Sequence, residues 1–528
     1  MAESAQRSGL MWRIARLFSP SREHSVISAA FLLMIATMVS RVVGYLRDAY
    51  VAYAFGAGPV TDAFVAAFTL PDLLNHLASG GAISISFISI YTRYLAANRE
   101  EEARETFSVI VTVLTVGLGV LILVAELLTP YFVRTMFPDF TAEQSELCIR
   151  LTRILLPAQL FFVVGFVVAA VQQTRRQFLI PAVAPIIYTV FIIGGGVLLS
   201  KRIGIDSLAV GALVGSFAGP FLLNAMGAAN TGIGYRFRFK PLDPAFKEWF
   251  WMSVPLMLGV SIIIADDWIM RYFASAGEGA ITRINYAKRL LQVPVGILGQ
   301  AVGVASLPFF ARLFAEKNLD EFEKSVNSSI SRLASGTLLV SSLMVSAAVP
   351  IVDIAFRRGR FDTTDTIETA TFFSWFSLAL VFWAVQGLYA RAFYAAGQMA
   401  RPMIAATIVT ICTIPIYWAC NERFGLTGLA VASNIAILAH TATLALLLHS
   451  RGMVKLSGLD WSELAKAAGT AFIAFTLSHF VGEAMGPGLV RWQIITRLAL
   501  ISLTWGAAVA AGLWLTRSTL LNILRRAY

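Results

Sequence analysis

Charge is what this sequence has least of. Only 14% of its 528 residues are Asp, Glu, Lys or Arg, against about 25% in an ordinary soluble domain. Apolar residues make up 57% and mean hydropathy is +0.71, so too little polar surface exists to face water, which excludes the soluble globular classes. Cysteine is scarce as well. Cys148, Cys412 and Cys420 lie in or beside apolar stretches, which leaves no disulfide framework and no cysteine metal site. The few histidines are scattered with no His-Glu-x-x-His, and no Gly-x-x-x-x-Gly-Lys-Ser/Thr occurs. Zinc hydrolysis and an in-chain ATPase are therefore excluded, and nothing calls for a cofactor or a metal. The first 25 residues are basic (Arg7, Arg13, Arg16, Arg22) and lack an apolar core with a small-residue cleavage site. No cleaved leader is expected, and the first span should remain in the protein.

Apolar runs of about 20 residues, enough to cross a hydrocarbon core about 30 Å thick, are what the sequence has in plenty. Hydropathy places spans at 26–54, 61–92, 107–130, 148–171, 179–200, 206–228, 248–274, 281–311, 329–355, 368–396, 402–420, 426–448, 462–482 and 492–516. The expected fold is an all-α polytopic membrane protein of about 14 transmembrane helices. Pro71 and Pro294 mark bends in the long second and eighth spans. With the N-terminus inside, 22 Lys and Arg fall on the cytoplasmic side and eight on the other, so both termini are expected in the cytoplasm. The formal charge of +11 is then mostly topological and argues for no nucleic-acid partner. The stretch Leu10 to Phe18 reads as a basic amphipathic helix on the cytoplasmic membrane surface, and Leu520 to Tyr528 reads the same way.

Shifting the chain by 221 residues aligns Val39-Ser40 with Val260-Ser261, Gly56 and Gly58 with Gly277 and Gly279, Thr61 with Thr282, Gln177 with Gln398 and Pro181 with Pro402. One constant offset across half the chain implies two homologous six-span units, with chance likeness of apolar sequence as the alternative. The expected organisation is an N-terminal segment 1–25, a six-helix lobe 26–228, a cytoplasmic linker 229–247, a second lobe 248–450, and two further helices with a basic tail in 451–528. Parallel repeats of this kind are typical of transporters with a mid-membrane site.

Ionisable residues at bilayer depth cost about 2.5–3.5 kcal/mol each on insertion scales and mark functional sites by default. Span 1 holds Arg41, Arg47 and Asp48; span 2 holds Asp62, Asp72 and His76; span 7 holds Asp266 and Asp267; span 8 holds Arg283, Lys288 and Arg289. Arg41 and Asp48, seven residues apart, share a helix face, with Arg47 pointing about 120° away. Cations in both repeats suit an anionic headgroup, since guanidinium groups grip phosphate by paired hydrogen bonds. The structural alternative pairs Arg41 with Asp48 and Lys288 with Asp266 or Asp267. Those two aspartates hold either a cation or the charges of Lys288 and Arg289. Asp62 and Arg283 fall near helix ends, at the expected membrane interface.

The run Ser40-Arg-Val-Val-Gly-Tyr-Leu-Arg-Asp48, with Phe55-Gly-Ala-Gly58 and Thr61-Asp-Ala-Phe64, resembles the opening signature of the MurJ/MviN lipid II flippase family, within the multidrug/oligosaccharidyl-lipid/polysaccharide exporter superfamily. Leu70-Pro-Asp-Leu-Leu74, Tyr286-Ala-Lys-Arg-Leu290, Arg358-Gly-Arg-Phe-Asp362 and Ala390-Arg-Ala-Phe-Tyr-Ala395 are similar to later landmarks, so the likeness runs from about residue 26 to 450. The resemblance implies two six-helix lobes about a cationic central cavity, two C-terminal helices forming a hydrophobic groove, and export of lipid II to the outer leaflet by alternating access. It implies a transporter of the bacterial inner membrane rather than an enzyme, with lipid II and membrane lipids as partners. A monomer is the default for such a two-lobed transporter, with the cell-wall synthesis machinery as a further partner. It carries substrate binding to Arg41, Arg47 and Arg289, with Asp48 and Asp62 as acidic partners; Lys288 joins them from the charge pattern. One departure stands out. Where the family has an Arg-Arg pair and then Ala-Glu-Gly, this chain has Asn75-His76 and Ser79-Gly80-Gly81. Asn75 and His76 thus occupy substrate-binding positions, His76 as a conditional cation. Another lipid-linked oligosaccharide is the alternative cargo. A drug exporter, a membrane glycosyl- or acyltransferase and a non-transporting scaffold fit the pattern less well.

Overall fold

The computed structural model describes residues 26–79, 82–257, 262–486 and 490–521. The amphipathic segment at Leu10 to Phe18, Gly80-Gly81, Val260-Ser261 and the tail beyond Leu521 lie outside the described residues. Every regular element described is helical. The chain divides into two compact units, the first comprising Met1–Val51 and Pro59–Gly259, the second Ala52–Gly58 and Val260–Tyr528.

The first unit contains α1 (Val26–Phe55, whose last turn is counted with the second unit), α2 (Pro59–Ala67), α3 (Thr69–Ser79), α4 (Ala82–Ala96), α5 (Glu100–Met136) and α6 (Ala142–Leu155). α7 (Ala158–Thr174), α8 (Leu179–Ile203), α9 (Asp206–Ser216), a π-helical segment (Phe217–Leu223), α10 (Asn224–Ala229) and α11 (Pro244–Met257) complete it. Phe87, Phe107, Val163, Val167 and Trp249 form its core. The Trp249 indole donates to the Ile83 carbonyl at 3.2 Å, so the largest core side chain leaves no polar atom stranded.

The second unit is built from α12 (Ile262–Ala274), α13 (Ala280–Pro294), a π-helical turn (Val295–Gln300), α14 (Ala301–Ala315), α15 (Leu319–Ser346) and α16 (Ala348–Phe356). α17 (Thr363–Leu378), α18 (Leu380–Ala395), α19 (Ala400–Ser450), α20 (Trp461–Ala484) and α21 (Arg491–Leu515) follow. Phe310, Phe322, Leu388, Phe393 and Leu444 are its core. The last two helices are tied to α15, where the Trp505 indole donates to the Leu339 carbonyl at 3.1 Å and the Ser342 hydroxyl at 2.9 Å.

Among the described residues, seven helical segments are long and apolar enough to cross a bilayer, nine when the bent pairs α15–α16 (71°) and α17–α18 (45°) each count as one span. Two other expected spans are interrupted among the described residues, whereas the first is the single helix Val26–Phe55. The second breaks at Phe68, so that Pro71 sits in the first turn of α3, where a missing N–H costs nothing. The eighth gives way to the π turn directly after Pro294.

The repeat is written in the helix ends. α2 and α13 start at Pro59 and Ala280, α8 and α19 at Leu179 and Ala400, each pair 221 positions apart. Thr141 and Asp362 both cap by a reciprocal box, accepting from the amide three residues on at 3.2 and 2.9 Å. Gly204 (φ 59°, ψ −137°) and Gly425 (φ 58°, ψ −148°) occupy the same backbone region, which only glycine enters without strain. Gly204 turns α8 into α9, and Gly425, inside the range given for α19, divides it into two apolar helices joined in the same way. The two helices then meet closely: a Cβ on Gly211 would lie 2.6 Å from the Phe191 carbonyl oxygen, and one on Gly428 2.0 Å from that of Cys420.

Candidate functional site: charged groups within the helices

In the first unit, Arg47 donates to Asp48 Oδ1 from Nη2 at 2.7 Å and from Nε at 3.0 Å. The structural alternative offered for Asp48 was a pair with Arg41 instead. Seven helical residues span about 10 Å along the axis, whereas adjacent side chains can fold together, and the Asp48 carboxylate is 11% exposed beside its neighbour's guanidinium. Arg41 is exposed and makes no ion pair among the described residues. Asp62 is not at an exposed interface: it is buried in the first turn of α2, where the partial positive charge of a helix N-terminus favours an anion. Asn75 and His76 are half-buried on α3.

In the second unit the intramembrane charges gather into two clusters. Lys288, on α13, donates to both Asp266 and Asp267 of α12, the second at 2.5 Å. The Tyr417 hydroxyl of α19 donates to the other oxygen of Asp266, and the Lys288 ammonium sits 5.8 Å from the centre of the Phe376 ring. Asp266 is 3% exposed, so both carboxylate oxygens are engaged where water does not reach. Arg289, one residue along the helix, lies on the exposed side. The second cluster centres on Arg283. Its Nε and Nη2 donate to Asp365 at 3.0 and 2.8 Å, and Nη1 to Glu368 at 2.6 Å and the Glu278 carbonyl at 2.9 Å. The expected interfacial arginine is thus enclosed, with a side chain 12% exposed.

Four participants escaped sequence reading. Tyr417 looked like one more aromatic in an apolar span. Asp365 and Glu368 did carry a signal, an acidic pair one turn apart at the start of a span. Arg391 of α18 donates to the Gly299 carbonyl at 3.3 Å, inside the π turn. Its guanidinium covers Gly303, where a Cβ would fall 1.4 Å from Nη1, so a larger residue there would displace the arginine head.

Paired charges held inside a helical membrane protein built on an internal repeat are the pattern of a membrane transporter. A solved MATE-family multidrug transporter in an inward-facing conformation superimposes with a TM-score of 0.63 at 15% identity, covering 80% of this chain and 98% of that one. A lipid II flippase MurJ in an inward closed conformation gives 0.75 at 21% identity, over 92% of this chain and 99% of the other. The sequence profile of the lipid II flippase MurJ family matches residues 51–502, and the chain belongs to that family. "Lipid II flippase MurJ" of Burkholderia cenocepacia is 26% identical over 483 residues, 88% of this chain and 92% of that protein. "Probable lipid II flippase MurJ" of Rhizobium tropici is 27% identical over 490 residues, 89% and 90% of the two chains. The protein is accordingly a multi-pass protein of the bacterial inner membrane, and a transporter rather than an enzyme.

Proposed function

We propose that this protein moves lipid II from the inner to the outer leaflet of the cytoplasmic membrane by alternating access. The family match over residues 51–502 carries the reading. The lobes 26–228 and 248–450 are the moving bodies, 229–247 joins them, and both termini face the cytoplasm, as the distribution of Lys and Arg requires. Arg41, Arg47, Lys288 and Arg289 receive the pyrophosphate-sugar headgroup, with Asp48 and Asp62 setting the orientation of the basic groups and the polyprenyl chain trailing in lipid. An arginine in an ion pair is pre-oriented for phosphate and exchanges one anion for another at little entropic cost; the Arg47–Asp48 pair supports that role. Asn75 and His76 replace two cations of the usual pattern, which favours a headgroup held by fewer permanent charges, or a different lipid-linked oligosaccharide as a second reading. The protein acts as a monomer alongside the cell-wall synthesis machinery.

The test is native mass spectrometry of lipid II on the purified protein and on Arg47→Ala/Arg289→Ala. Binding that is tight in the parent and lost in the variant supports both the cargo and the cationic site, and the same spectra report the oligomeric state. Unchanged binding in the variant overturns the site. Retention of a competing lipid-linked oligosaccharide in place of lipid II overturns the cargo.

A further inference from the structure

Residues 233–240 are neither helix nor turn, yet they are anchored on α5 in a regular way. The backbone amides of Arg236 and Arg238 donate to the hydroxyls of Ser108 and Thr112 at 3.2 Å each, and the Tyr235 hydroxyl meets Thr112 at 3.0 Å. Amides two residues apart facing one helix face are the mark of an extended chain. The two helix hydroxyls stand in for the carbonyls of an absent neighbouring strand. This strap has a defined depth. Val116 is the first exposed large apolar residue of α5, one turn or about 6 Å beyond Thr112, and exposed apolar residues continue from there to Tyr131. The strap therefore runs where the apolar surface of α5 begins, the level at which tyrosine and tryptophan gather in membrane proteins.

Its side chains sort by polarity in the direction that this depth requires. Lys240 reaches Glu105 at 2.9 Å and Arg236 reaches Glu101 at 3.8 Å. Those carboxylates lie seven residues, about 10 Å, nearer the start of α5 than the hydroxyls that hold the strap's backbone. Both cations thus bend toward water, as snorkelling side chains do. Phe237 and Phe239 are 71% and 50% exposed. Arg238 lies between them, exposed and without an ion pair among the described residues. Its charge acts on Glu105, which Lys240 already bonds, so the strap keeps a net positive charge there; an exposed guanidinium with phenyl rings on either side of it in the chain, at interfacial depth, has the chemistry of a phospholipid headgroup site. The rings enter the ends of the acyl chains while the cation meets the phosphate and its negative charge.

We propose that the strap 233–240 is an interfacial anchor that binds anionic phospholipid through Arg238, with Phe237 and Phe239 in the leaflet. This reading depends on neither the cargo nor the transport site.

Two measurements on the full-length protein test it. In phosphatidylglycerol/phosphatidylcholine nanodiscs, a spin label is placed by Phe237→Cys in a chain carrying Cys412→Ser and Cys420→Ser. Cys148 is fully buried and does not compete for label. Collisions with oxygen should exceed those with a water-soluble nickel chelate at position 237, with the reverse at a Glu101→Cys control. Nickel access at 237 equal to the control overturns the anchor. In native mass spectra, the parent should retain phosphatidylglycerol over phosphatidylcholine, and Arg238→Gln should weaken that preference about fivefold, the effect of one interfacial cation. Equal retention of the two lipids by the parent, or an unchanged preference in Arg238→Gln, overturns the anionic specificity.

Discussion

Lys288→Met tests whether the cluster in the second unit is held by its charges. Methionine keeps most of the side-chain length and removes the ammonium that bonds both Asp266 and Asp267. Asp266, 3% exposed, is left with the Tyr417 hydroxyl as its donor and no compensating charge. Removing one partner of a buried pair typically costs about 3–5 kcal/mol. The Asp267 side chain is 35% exposed, so water screens its share, and the expected loss falls at about 3 kcal/mol. Asp266→Asn in the same chain removes the stranded charge while keeping an acceptor for Tyr417. The double variant should therefore recover to within about 1 kcal/mol of the parent, a coupling of about 2 kcal/mol or more between the two sites. Reversible unfolding in mixed lipid–detergent micelles, followed by tryptophan fluorescence, measures all four corners of the cycle. A Lys288→Met protein as stable as the parent, or a double variant whose loss is the plain sum of the single losses, refutes the argument.

Gly425→Ala forces a Cβ into a backbone region reserved for glycine and should cost about 1–3 kcal/mol, as should Gly204→Ala, both read in the same unfolding assay. Glu463 is buried and accepts from the Ser518 hydroxyl at 2.6 Å and the Thr519 amide at 3.0 Å; Glu463→Ala should release that end, seen as faster amide exchange over 518–521 with little change in α15. Asn75→Arg should raise lipid II affinity if the site is otherwise conventional, and a titration that shows no change means the headgroup is held elsewhere.

The helical class, the repeat and its 221-residue spacing were legible because they rest on composition and on pattern along the chain. So was the choice of residues that carry charge into the membrane. Their partners were less so. The structural alternative matched Asp48 to Arg41 because helix periodicity ranks residues by face, and periodicity says nothing of a side chain that folds onto its neighbour. Tyr417 reaches Asp266 across 151 positions, and no local rule links an apolar span to a carboxylate at that distance. Arg283 shows a different gap. Its position near a helix end was read correctly, but enclosure by Asp365 and Glu368 depends on how α17 packs against α13. Breaks were half visible: Pro71 and Pro294 flagged two of them, whereas the bends at Ala347 and Ala379 have no proline at the break.

The glycine reversals at Gly204 and Gly425 also bear on how the protein is made. A helix that turns into the next within two or three residues leaves no loop for a ribosome-bound chain to thread separately through the insertion machinery. Each helix pair is suited to entering the bilayer as a hairpin, its two apolar segments already in close contact. The machinery meets that hairpin twice, once at residues 179–229 and again at 400–450.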